Sequence, residues 1–300
     1  MGFVGNKALR LRFARLRALA ERSARNFSRH DMVVYAMALA YRGLFALFPF
    51  AILLVALLAF LRAEAVLGWL AEQGPPELRF RPPEPVEWLV ERVRDPERGW
   101  VLASGIVVAL WSVSMGARLL MRALNAVLEV EETRPLWKRV AFSVVFAPGL
   151  AFAGIAAAGL MLVTSRATAW LAYYVGLDAV FVLLWGLLRV PVALLLLALV
   201  VSAVYLYAPD ADLAFRSVAP GAILAVTLWG LASLAFSFLL SISPDFGATY
   251  GGLGAAISLL LYLYVSAFAV LLGAEVNAAM LEAITRGDGA EAERRDPYRG

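Results

Sequence analysis

The sequence predicts an all-α polytopic membrane protein, a bundle of about six transmembrane helices with the N and C termini cytoplasmic. Three observations carry this prediction. Of the 300 residues, 62% are hydrophobic and only 17% charged, against about 45–50% and about 25% in soluble domains. The apolar residues also come in charge-free blocks: Gly43–Leu61, Gly99–Ala117, Val140–Ser165, Val190–Pro209, Ser217–Pro244 and Phe246–Ala274. Each approaches or exceeds the ~20 residues that cross ~30 Å of hydrocarbon as a helix. Finally, positive charge is lopsided. Lys7, Arg10, Arg12, Arg15, Arg17, Arg22, Arg25 and Arg29 precede the first block, and Arg122, Arg134, Lys138 and Arg139 surround the second connection. The positive-inside rule puts both segments, and the tail, in the cytoplasm.

Residues 1–31 read as a basic amphipathic helix. Leu9, Phe13, Leu16, Ala20 and Phe27 fall along one line at 100° per residue, with the arginines on the flanks. Such a helix rests on the cytoplasmic leaflet near anionic headgroups, or packs on the protein's own cytoplasmic loops. The transmembrane domain follows over 32–284. Span one, 32–61, contains Arg42 and a hinge at Pro49, where the missing amide predicts a kink. Residues 62–99 form an external loop with Gly74-Pro75-Pro76 and Arg81-Pro82-Pro83-Glu84-Pro85, broken into short helical pieces. Span two covers 100–121, and span three covers 140–163 with Pro148 inside it. Span four covers 179–207 and has a second hinge at Pro191, two residues after Arg189. Span five covers 218–240. Before span six, Gly247 to Gly254 is glycine-rich around Gly251. That favours a re-entrant turn or a tight external hairpin, with Gly251 as a hinge. Span six covers 253–273 and continues as a cytoplasmic helix to Ile284; residues 285–300 are a charged tail expected to be disordered.

Two groups of residues could carry chemistry. Arg42 and Arg189 sit near mid-depth, where a lipid-facing arginine costs at least ~2.5–3.5 kcal/mol. They either line a polar groove that grips an anionic headgroup or bond helix carbonyls and hydroxyls. Arg118, Arg122 and Asn125, spaced i, i+4, i+7, share a helical face, and Glu275 and Asn277 end span six. Together they suggest a cytoplasmic polar network tying spans two and six, most simply an interfacial scaffold. Catalysis finds little support. There is no cysteine, a single histidine (His30), no Walker A loop and no metal-ligand spacing. No cofactor, no metal and no catalytic residue is expected.

Several segments in order resemble the YihY/BrkB family. They are Ala38-Leu39-Ala40-Tyr41 through Leu47-Phe48-Pro49, Leu110-Trp111-Ser112-Val113-Ser114, Ala123-Leu124-Asn125, and Glu131-Glu132-Thr133-Arg134-Pro135. Pro220-Gly221-Ala222, Trp229, Ala248-Thr249-Tyr250-Gly251, and Leu272-Gly273-Ala274-Glu275 with Asn277 continue the likeness, from about Arg29 to Ala283. The resemblance implies a six-helix bacterial inner-membrane protein of a family that once bore a ribonuclease label and has been linked to envelope lipid export. Arg42-Gly43 departs from the uncharged residue expected at that place in many relatives, so an anion role for Arg42 is not carried over. The expected function is movement of anionic lipids across the cytoplasmic membrane; the alternative is a non-transporting scaffold for envelope machinery. Expected partners are membrane lipids, envelope proteins or a second copy, with no nucleic acid.

Overall fold

The computed structural model describes residues 2–60, 99–143, 179–242 and 245–295. Every regular element among them is an α-helix. In chain order they are α1 (Gly2–Arg29), α2 (Met32–Phe60), α3 (Gly99–Val127), α4 (Ala179–Tyr207), α5 (Phe215–Ile242) and α6 (Asp245–Arg295). Residues 136–143 are helical too. The external loop and most of span three lie outside the described residues. Among the described residues, three segments are long and apolar enough to cross a bilayer: Leu183–Tyr207, Phe215–Ile242 and Leu253–Thr285; Met32–Leu47 is a shorter apolar helix. The predicted all-helical membrane class is the class observed.

Two differences from the sequence reading stand out. The glycine-rich stretch 247–254 is helical, part of α6 from Asp245 onward, where a turn was expected. Glycine permits a turn without requiring one, and the helical ladder here runs from Asp245 into the apolar residues that follow. The same helix continues to Arg295, through residues expected to be a disordered tail. Ala290-Glu291-Ala292-Glu293-Arg294-Arg295 is made of strong helix formers, which favours continuation. Pro49, Pro191 and Pro220 all lie within helices.

The chain divides into two compact units. The first comprises Met1–Tyr41, Leu119–Pro135 and Ala198–Gly300. Its interior mixes small residues, such as Ala36, Ala123, Ala222, Ala225, Ala269 and Ala279, with larger ones that include Phe27, Met32, Met121, Leu124, Tyr205 and Leu271. Hydrocarbon solvates a leucine as well as a protein core does, so helices in lipid gain little by hiding large apolar groups. They gain by approaching closely, which small residues allow. The distribution of polarity is inverted to match. Leu234 on α5 is 69% exposed, while Glu275 on α6 is 0% exposed.

Both corners of this unit are closed by non-glycine residues in the left-handed region. Asp31 (φ 55°) separates α1 from α2, and Glu129 (φ 53°) ends α3. At the second corner the Val130 amide donates to Asn125 O and the Glu129 amide to Ala126 O. This is a Schellman closure with glutamate where glycine is usual.

The second unit comprises Arg42–Arg118 and Leu136–Leu197. Its described residues include Arg42, Arg118, Lys138, Arg139 and Arg189 and contain no Asp or Glu. Leu183, Leu187 and Leu195 on α4 are exposed.

Candidate functional site

The first unit is locked where α5 crosses α6. Gly221 and Gly273 meet backbone to backbone: a Cβ on either would overlap the carbonyl oxygen of the other. Asn277 completes the joint. Its Oδ1 accepts the Gly221 amide at 2.7 Å, and its Nδ2 donates to Val218 O at 2.8 Å. Pro220 explains the location, since a proline in a helix disturbs the surrounding turn and leaves backbone groups for other partners. The Tyr205 hydroxyl donates to Val270 O beside the same joint. Leu124, Tyr205, Val218, Ala274 and Asn277 border a cavity of about 20 Å³, room for about one water. Elsewhere along α5 and α6, Ala232, Phe236, Leu261 and Tyr262 line an apolar cleft of about 220 Å³.

Charged groups gather where α1, the end of α3 and α6 meet. His30 Nδ1 lies 2.7 Å from Glu275 Oε1, and His30 Nε2 lies 3.3 Å from Glu129 Oε1. Arg29 reaches the same Glu129 oxygen at 2.7 Å. Arg22 is ion-paired with Glu282, and Phe27 stacks on Phe268 with centroids 4.6 Å apart. The C-terminal part of α1 therefore packs on α6. Of the predicted leaflet-facing stripe, Phe27 is buried in that contact and Ala20 is exposed.

The connections after α3 and α4 are joined by a second network. Asn125 donates to Glu132 Oε2 at 3.0 Å and accepts the Asp210 amide at 2.8 Å. Asp210 Oδ2 accepts the Thr133 hydroxyl at 2.6 Å and the Thr133 amide at 2.7 Å. Arg134 pairs with Glu132 at 2.7 Å and donates to Ala208 O at 2.9 Å. The Thr133 donors, with the nearby Arg134 charge, hold the Asp210 carboxyl below the usual carboxylate range.

In the second unit the chemistry collects on one turn of α3. Arg118 Nη1 donates to Ser114 Oγ at 2.9 Å, and its guanidinium stands 5.4 Å from the centre of the Trp111 ring. Ser114 and Ser143, each 1% exposed, are bonded at 2.6 Å. Ser143 donates to Val140 O. The Ser143 proton is thus committed, the Ser114 hydroxyl donates to Ser143, and Ser114 accepts from Arg118. Arg42, exposed on α2, places Nη1 3.4 Å from Met115 O on the same turn, the outer limit of a hydrogen bond. Arg139, one turn before Ser143, has a buried Nε with no acceptor among the described residues.

The residues singled out from the sequence are therefore distributed differently from the grouping first drawn. Glu275 takes His30 as its partner rather than an arginine of α3. Asn277 serves the α5–α6 joint, and Asn125 serves the Glu132–Asp210 network. Arg122 is exposed, and Arg118 turns to Ser114 and Trp111. Arg189 is half-buried on α4. Sequence reasoning missed Gly221, Gly273 and His30 as contact residues. The spacing Ala269, Gly273, Asn277 on α6 and Gly221, Ala225 on α5 is the small-every-fourth signal that marks a close helix crossing. His30 left no comparable trace, because Glu275 lies 245 residues away.

Comparison with known proteins places this geometry. A family model described as virulence factor BrkB matches residues 23–297. The chain is 34% identical over 257 residues to the ribonuclease-like protein YfkH of Bacillus subtilis (strain 168), covering 85% of this chain and 92% of that protein. It is 30% identical over 189 residues to the UPF0761 membrane protein RSc1559 of Ralstonia nicotianae, covering 62% of this chain but 40% of that protein. A 76-residue stretch is 32% identical to the UPF0761 membrane protein PSHAa0171 of Pseudoalteromonas translucida. No solved structure matches. With apolar helices long enough to cross a bilayer and a family match over nearly its whole length, the chain is a multi-pass membrane protein and belongs to the BrkB virulence factor family.

Proposed function

We propose that this protein assists the passage of anionic lipids across the bacterial cytoplasmic membrane, without an energy source of its own. The observation that carries the reading is the arginine-rich turn of α3. Arg42 and Arg118 both dock on residues 114–115, and the Arg139 Nε is buried without an acceptor among the described residues. The described residues of that unit contain no carboxylate. A guanidinium grips a phosphate through two parallel hydrogen bonds, and a lipid phosphate is the anion that a bilayer supplies. The Arg42–Met115 bond is long and weak, so the group is available to a stronger acceptor. Arg189, the other mid-depth arginine, is a further candidate for the lipid's path.

The test is lipid movement in liposomes reconstituted with purified protein, using fluorescent phosphatidylglycerol and phosphatidylcholine with a membrane-impermeant quencher. Faster movement of the anionic probe, slowed about tenfold or more by Arg42→Leu or Arg118→Leu, is expected if each supplies one charge-assisted contact. Unchanged lipid asymmetry sinks the reading.

A scaffold for envelope machinery is the second reading. The shut Gly221–Gly273 joint favours it, and stable co-purifying partners with no lipid movement would establish it. RNA cleavage, the third, rests on the name of one relative. The described residues hold no group of three His, Asp or Glu able to seat a metal, and metal-dependent cleavage by contaminant-free protein would revive it.

A further inference from the structure

The lipid reading makes no use of the charge cluster on the first unit. His30 is the chain's only histidine. Its side chain is 9% exposed, and each ring nitrogen faces a carboxylate: Glu275, 0% exposed, at 2.7 Å and Glu129 at 3.3 Å. With both carboxylates ionised, each only accepts hydrogen bonds, and both nitrogens are then satisfied only when both carry a proton. Neutral imidazole would turn a bare nitrogen toward one of the two acceptors. The surrounding charges agree. Arg29 and His30 from the α1 corner balance Glu129 from the end of α3 and Glu275 from α6. Asp31 is exposed, and Arg22 and Glu282 are paired with each other. Removing the imidazolium proton leaves this balance one negative charge in excess, beside a Glu275 whose Oε2 is buried with no partner among the described residues. Burying charge without a counter-charge is costly, and the available relief is to open the site to water.

We propose that His30 binds a regulatory proton: as an imidazolium bridging Glu275 and Glu129 it docks the C-terminal part of α1 onto α6, and loss of that proton undocks it. Docking would thereby follow the protonation of this one ring. The contacts under its control are those of Phe27 with Phe268 and of Arg22 with Glu282. The inference stands apart from lipid transport, since it concerns helix docking alone.

Two readouts on the full chain in lipid nanodiscs test it. Nitrogen NMR of the single histidine should show both ring nitrogens protonated at acid pH. An imidazole with one bare nitrogen there overturns the proposal. The chain has no cysteine, so spin labels at Arg25→Cys and Thr285→Cys, both exposed, report the α1–α6 distance cleanly. That distance should be single and short at acid pH and lengthen as the imidazole loses its proton. His30→Arg, permanently charged and able to donate in two directions, should stay docked at every pH, and His30→Gln undocked at every pH. If the wild-type distance ignores the histidine titration, the latch does not exist, whatever the variants do.

Discussion

Replacing Gly221 by alanine should separate two opposing consequences of adding a methyl group to a helix. In an open helix interior the change stabilises by up to about 1 kcal/mol, because alanine is the better helix former. At Gly221 the new Cβ would overlap Gly273 O and stand 2.5 Å from both Cγ and Oδ1 of Asn277. The first clash is with backbone, so α5 and α6 must separate. Overpacking of this kind costs about 1–3 kcal/mol. Separation also breaks both Asn277 bonds, at about 0.6 kcal/mol each for interhelical hydrogen bonds in lipid. The net loss is therefore about 2–4 kcal/mol before the helix-propensity gain is subtracted. Gly230 on the same helix has nothing within 4 Å of an added Cβ, so Gly230→Ala is the matched control. Unfolding in mild detergent titrated with a denaturing one, followed by circular dichroism, reads both. Gly221→Ala should shift the midpoint strongly down, and Gly230→Ala should leave it unchanged or raise it. Equal behaviour of the two variants would refute the close crossing of α5 and α6.

Two further outcomes follow from the corners and connections. Asp210 has its carboxyl held below the usual range by Thr133 and Arg134. Its contribution to stability is therefore present above the unfolded-state value of about 4 and is lost as pH falls through the lower folded value. Thermal stability of the wild type should drop on acidification from about pH 6 to about pH 3, and Asp210→Asn should start lower and lose that component of the slope. Asp31 and Glu129 both carry a positive φ; left-handed backbone costs a non-glycine residue roughly 1–2 kcal/mol. Asp31→Gly should raise the melting temperature, by a gain of up to about 1 kcal/mol after glycine's extra chain entropy is counted. Glu129→Gly relieves the same strain but deletes the partner of Arg29 and His30, so it should melt lower than Asp31→Gly.

Much of the architecture was legible because its cause is local. Charge-free blocks and their lengths are properties of neighbouring residues; α5 nearly coincides with the block Ser217–Pro244, while α2 and α4 begin well before their blocks and run through Arg42 and Arg189. The glycine-rich stretch before span six misled for an equally local reason. Glycine permits a turn without requiring one, and here the helical ladder continues into the apolar helix that follows. The site was less legible. Glu275 and Asn277 drew notice as polar residues at the end of an apolar helix, but their partners did not. Asn277 finds Gly221 across 56 residues, and Glu275 finds His30 across 245. A polar group inside an apolar helix announces that it needs a partner; which partner it finds depends on helix crossings that no local pattern records.

The same crossing constrains how the first unit can move. Sliding α6 on α5 by one turn, about 5.4 Å, would bring Ala269 or Asn277 to the place Gly273 occupies. That place admits no Cβ, which would meet the Tyr205 hydroxyl at 2.7 Å and the Ala225 methyl at 2.8 Å. Rotation about either axis would pull Asn277 from Gly221 and Val218, leaving buried donors and acceptors unmet in lipid. Around this joint α5 and α6 therefore act as one piece. Motion within this unit falls to the backbone corners, and at Asp31 and Glu129 left-handed strain already offsets part of the cost of leaving the observed conformation. Both corners border the His30 cluster. A proton lost there would act beside both strained joints.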